Sequence, residues 1–183
     1  MSTLEFVLVA HAIIVGLSVA EILRGISELI RADKVKISYR LLLIAMWTLI
    51  LLLQIWWAIW SVGDHEVWTF LEFLLFLLPV GILYVIARLC FPLVLTGADL
   101  NNYYLRVSKV IWWLVAAIYA SMALFLSPFV FGGIIPMVFT SQIVIAILAV
   151  IAGYVKSRSF QVFVIGAMLA QVFWRGLSQV VGN

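Results

Sequence analysis

Long apolar runs, each about as long as a bilayer is thick and separated only by short polar breaks, set the pattern of this chain. The runs are continuous rather than alternating, which is how spanning helices read and not how barrel strands read. Setting these runs against charged, proline and glycine breaks predicts six helices, at about 5–31, 39–62, 67–96, 104–127, 133–155 and 159–181. Each reaches or exceeds the roughly 20 residues that cross a ~30 Å hydrocarbon core, where only helices or closed barrels keep every backbone group paired. None of the connections reads as a linker. The expected fold class is therefore all-α, a polytopic membrane helix bundle forming one transmembrane domain over residues 1–183.

Composition closes off the soluble alternative. Of the 183 residues, 67% are hydrophobic and 10% charged, and the mean hydropathy is +1.25. No water-facing surface can be built from that mixture. The opening MSTLEF lacks the basic region of a cleavable signal peptide, so the first apolar run is expected to stay as a helix. Cys90 is the single cysteine, which excludes an intramolecular disulfide and a cysteine metal cluster.

Charge placement then gives an expected orientation. The first connection carries Arg31, Lys34, Lys36 and Arg40; the third carries Arg106 and Lys109, with Arg88 just before it; the fifth carries Lys156 and Arg158. The second holds Asp64, His65 and Glu66, and the fourth has no charge. The excess of Lys and Arg places the first set in the cytoplasm and both termini outside, an N-out/C-out topology suited to a bacterial inner membrane. All eleven basic residues except Arg175 gather at that end. This accounts for a pI near 9.2 without nucleic acid, and makes the lipid bilayer, with its anionic head groups, the expected partner. Trp56, Trp57, Trp60, Trp68 and Trp174 cluster toward the outer interface and Trp112 and Trp113 toward the inner one, as anchoring rings do.

Two faces stand out on the first helix. His11, Ile14, Ser18, Glu21, Gly25 and Glu28 fall on one side at helical spacing, a polar stripe. Ala12, Gly16 and Ala20 form a row of small residues on another side, where a second helix can approach closely. With neither face suited to lipid, this helix is expected at the centre of the bundle. Counting about 1.5 Å per residue puts Glu21 near the inner edge of the hydrocarbon and Glu28 and Arg31 at or beyond it. Glu21 then reads as a salt bridge to Arg24 or Arg88, or as a proton- or cation-binding carboxylate lining a path.

The same depth count places His11, Gln54, Glu72, Gln142, Gln171 and Arg175, on five helices, roughly 9–13 Å below the outer surface. Buried polar groups need partners, so many of these are expected to face one another, with Glu72 and Arg175 as an ion pair. Such a layer is interhelical hydrogen bonding or the floor of an outward-open cavity. Together with Glu21 and Ser18, the residues His11, Gln54, Gln142 and Gln171 are the pore or ion-binding candidates. Small residues recur on the fourth, fifth and sixth helices, which favours a homo-oligomer. A three-plus-three inverted repeat has thin support: Pro79 and Gly81 break the third helix, but the sixth has no proline and Pro136 opens the fifth.

Catalytic signatures are missing. The chain has no HExxH, GxSxG, Walker loop, dinucleotide fingerprint or zinc spacing. A bis-histidine haem would have to use His11 and His65, and all four lysines lie in loops or at helix ends, too shallow for a Schiff base. No cofactor, metal or enzymatic activity is expected; an intramembrane enzyme would need its acid and base among His11, Glu21 and Glu72, which sit at different depths. Two functions remain. The first is a small, oligomeric channel or transporter for an ion, proton or small solute, because ionisable residues within a membrane are functional candidates by default. The alternative is a non-catalytic subunit or scaffold acting through helix–helix association with other membrane proteins.

Overall fold

The computed structural model describes residues 3–58, 68–124 and 136–178. They form six helices: α1 (Thr3–Arg31), α2 (Tyr39–Ala58), α3 (Phe70–Leu89), α4 (Leu100–Ser121), α5 (Pro136–Tyr154) and α6 (Arg158–Ser178). The fold is all-α; the described residues contain no strand, only an isolated bridge between Lys36 and Asp99. By length and composition α1 to α4 can each cross a membrane, and α5 is apolar over the shorter stretch Val138–Tyr154. The loop with Asp64, His65 and Glu66, the uncharged fourth connection and Trp60 lie outside the described residues.

Helix boundaries differ from expectation on both sides of the third connection. The third helix ends at Leu89 rather than near 96, because Pro92 disfavours helical backbone at the residue before it and has no N–H to give. The fourth starts at Leu100 rather than 104, because Asp99 caps it: Oδ1 accepts from the amides of Asn101 and Asn102 at 3.0 Å each. At the other end of α3, Thr69 and Glu72 form a reciprocal capping box. Pro79 sits buried inside α3 without ending it.

Arg106 and Lys109, expected in the third connection, lie inside α4, which leaves residues 90–99 without a basic side chain. The first and third connections are stitched together. Lys36 N donates to Ala98 O and Leu100 N to Lys36 O, both at 3.0 Å, and Gly97 N reaches Asp33 O at 3.1 Å. Gly97 has a φ of 72°, a left-handed conformation that suits glycine. Lys36 Nζ lies 3.7 Å from Asp99 Oδ2. The capped amides, aided by Lys36, hold the Asp99 carboxyl below its usual 3.8. A depressed carboxyl stabilises the fold fully above its unfolded value, and this contribution is lost as pH falls through the lower folded value. Melting temperature in detergent is therefore expected to drop below about pH 4, with a shallower drop in Asp99→Asn; equal slopes in the two proteins would contradict the assignment.

Packing places the helices in order. Side-chain contacts run in step between α1 and α3, Phe6 with Phe73, His11 with Phe76 and Glu21 with Arg88, so these helices run parallel. Likewise α2 and α6 run parallel through Arg40–Gln161 and Gln54–Val172. The α4–α5 pair is antiparallel and forms the most extensive contact. Trp47, Leu52, Leu83, Ile86, Ile111, Trp112 and Ile118 are fully buried at the centre.

The first helix is not central. It packs against α3 and, less, α2, with no substantial contact to the other helices. Its buried positions are Val7, His11, Val15, Ser18, Ile22 and Gly25, spaced by four and three as a two-helix seam requires. Three of the six belong to the polar stripe, which thus packs in part against the neighbouring helices α3 and α2. Gly25 makes the closest approach: a Cβ built there would lie 2.2 Å from the Phe91 ring.

Candidate functional site

The charged half of α1 is explained by lengths. At about 1.5 Å per residue, the 29 residues of α1 exceed a ~30 Å core, while the 20 residues of α3 match it. Because the two run parallel, α1 continues past the end of α3, and Glu21 stands beside Arg88, one residue from that end. Its Oε1 accepts from Arg88 Nη1 at 2.9 Å and its Oε2 from Arg24 Nη2 at 2.7 Å, while Arg24 Nη1 goes on to Glu28 at 2.9 Å. Both partners expected from the sequence thus meet this carboxylate at once. The arginines are more than two-fifths exposed, so the cluster is a clasp holding α1 to α3 rather than a buried charge.

Two of the outer polar residues join helices in pairs. Gln54 Nε2 donates to Val172 O at 3.1 Å, joining α2 to α6. Gln171 Nε2 donates to Ser141 Oγ at 2.9 Å, joining α6 to α5. Glu72 Oε2 accepts from Thr69 N at 2.7 Å and Thr69 Oγ1 at 2.9 Å at the start of its own helix. His11 is buried on the α1–α3 seam, 5.0 Å from the Phe76 ring, and Ser18 turns its hydroxyl back to Ile14 O. Arg175 is half-buried on α6 near Tyr119. Gln142 is buried, and neither its Oε1 nor His11 Nδ1 has a partner among the described residues. Among the described residues these two glutamine contacts are pairwise, Gln54 tying α2 to α6 and Gln171 tying α6 to α5. Of the small row, Ala12 is half-buried and Gly16 and Ala20 are exposed; a Cβ at Gly16 meets nothing within 4 Å among the described residues.

A polar centre that the sequence did not disclose lies at the basic end. Gln161 Oε1 accepts from Tyr104 Oη at 2.8 Å and from Arg40 Nη1 at 3.1 Å. Its Nε2 donates to Ala152 O and Val155 O at 3.1 and 3.2 Å, satisfying the end of α5. Trp112 Nε1 donates to Tyr104 Oη at 3.1 Å, and the Arg40 guanidinium lies over the Tyr104 ring at 4.3 Å. Four helices, α2, α4, α5 and α6, are joined through one amide. Trp112 is therefore a core donor and not an interfacial anchor, whereas Trp56, Trp57 and Trp174 are exposed as anchors should be. No group of three metal-ligating side chains occurs among the described residues. His65, needed for a bis-histidine haem, lies outside them. Beside Gln54, between α2 and α6, a cavity of about 360 Å³ is lined mainly by Ile50, Leu53, Trp57, Val172 and Phe173, an apolar chemistry that fits acyl chains rather than ions.

No protein-family model, curated protein or solved structure matches the chain.

Proposed function

We propose that this protein is a non-catalytic integral membrane component that works by associating with other transmembrane helices, and that its basic loops face the cytoplasm with both termini outside. The observation that carries this reading is the position of α1. It is seated at the rim on α3 and α2, and it turns the row Ala12, Gly16 and Ala20 away from its own bundle. Small residues let helix backbones approach within the bilayer, where association rests on close packing. Glu21 is matched by two arginines and clasps the bundle, which removes the main sequence argument for a permeation path.

Gly16 is the test position, since it is exposed and a Cβ built there has no neighbour within 4 Å among the described residues. Native mass spectrometry in mild detergent is expected to show the parent protein in a stoichiometric complex, with itself or another membrane protein. Gly16→Leu should weaken that complex by roughly tenfold or more at unchanged melting temperature. A parent that is monomeric and alone, or a variant that associates equally well, would contradict the proposal.

One observation favours a second reading, a small channel or transporter for an ion, proton or small solute. The buried Gln142 Oε1 and His11 Nδ1 lack protein partners among the described residues, and buried polar groups of this kind recruit water. On this reading reconstituted protein passes protons or monovalent ions and Gln142→Leu abolishes the flux. Liposomes as tight with the protein as without it would eliminate this reading.

A further inference from the structure

At the basic end the first turns of α2 and α6 lie side by side. The Arg158 guanidinium covers the Tyr39 ring at 4.2 Å, and Arg40 reaches Gln161 at 3.1 Å. Two helix N-termini therefore bring the positive ends of their dipoles together, and neither first turn contains an acidic residue. Helix α4 starts at the same end but has its own anion, Asp99. At α6 the Ser157 hydroxyl caps Phe160 N at 3.5 Å. The capping position of α2 is Ser38, whose carbonyl accepts from Leu42 N at 3.2 Å. Its hydroxyl is fully buried and has no partner among the described residues.

Arg40, two residues on, is only 8% exposed, and its Nε also lacks a partner. The guanidinium has an amide oxygen and an aromatic face but forms no ion pair among the described residues. Asp99, on the adjoining connection, is spent on the α4 amides and Lys36. A desolvated cation beside two positive helix ends is costly unless an anion completes it.

We propose that this junction binds a phosphate-bearing anion. Ser38 Oγ, Arg40 Nε and the first-turn amides of α2 are the donors, and the exposed Arg158 closes the outer side. Tetrahedral phosphate accepts several such donors at once, and helix N-termini are suited to it. The junction stands where the apolar span Tyr39–Ala58 begins, the level of lipid head groups. The phosphate thus comes from an anionic phospholipid or from solution. The site is independent of whether the protein is a scaffold or a channel.

The test uses the full chain in nanodiscs of phosphatidylcholine alone or with one-quarter phosphatidylglycerol, and in detergent titrated with inorganic phosphate. Phosphatidylglycerol retained in native mass spectra with a raised melting temperature identifies a lipid source. Saturable stabilisation by inorganic phosphate alone identifies a free one. In either arm Ser38→Ala and Arg158→Gln should each weaken binding by roughly tenfold while melting like the parent in pure phosphatidylcholine. The proposal is overturned if neither probe is preferred by the parent, or if both variants bind as the parent does.

Discussion

Replacing Gln161 by leucine is expected to be the most destabilising single change in the polar interior, about 3–5 kcal/mol. The side chain is buried and serves four groups at once. Removing it strands the Arg40 guanidinium, the Tyr104 hydroxyl and two carbonyls at the end of α5. Each buried group left unpaired costs about 1–3 kcal/mol, and more when charged; relaxation toward water at this end of the bundle keeps the sum below a simple addition. Tyr104→Phe removes one hydroxyl, leaving Trp112 Nε1 without its acceptor, and should cost about 1 kcal/mol. Denaturant titration in detergent measures both. A Gln161→Leu protein as stable as Tyr104→Phe would show that the amide is not the joint between the helices.

The second large effect is steric. Gly25→Leu places its Cβ inside the Phe91 ring, with Cδ2 at 2.2 Å and Cγ at 2.3 Å. Phe91 cannot swing aside freely, because it is buried in the turn after α3, between Cys90 and Pro92. Overpacking of this kind costs about 1–3 kcal/mol. It should act locally, lifting the basic end of α1 from α3 and straining the Glu21–Arg88 contact. Phe91→Ala costs stability by itself through lost burial. The double variant Gly25→Leu/Phe91→Ala should recover much of the first loss, giving a coupling energy of opposite sign to the single effects. Additive losses would mean that the two residues do not meet.

Much of the architecture is legible in the sequence because membrane helices announce themselves by length and continuity of apolar residues. The start of α2 at Tyr39 and the end of α1 at Arg31 fall where the charged breaks put them. The missed boundaries carried local signals of their own: Pro92 ends α3 early, and Asp99 opens α4 early. Helix rotation is what the sequence leaves open. A polar stripe containing His11, Ser18 and Glu21 fits a central channel face and a two-helix seam equally well, since both need the same periodicity. Only the partner's side chains, Phe76 and Arg88, distinguish them. The Gln161 centre was hidden for a related reason. Arg40, Tyr104 and Gln161 each resemble interfacial residues near a helix start, and only the parallel placement of α2, α4 and α6 brings them together.

The claim from which the rest follows is that α1 is a rim helix, turned so that its small residues face away from the bundle. Cys90 is the single cysteine and is fully buried, so spin labels can be placed one at a time. Leu17 is 53% exposed and Ser18 is 0% exposed, neighbours on opposite sides of the proposed seam. In nanodiscs holding one chain, a label at Leu17 should be mobile and reached by lipid-soluble oxygen but not by a water-soluble nickel chelate, and a label at Ser18 should be immobile and shielded from both. A label at Ser18 that the nickel chelate reaches, with Leu17 immobilised, would put α1 around a water-filled axis and contradict the account.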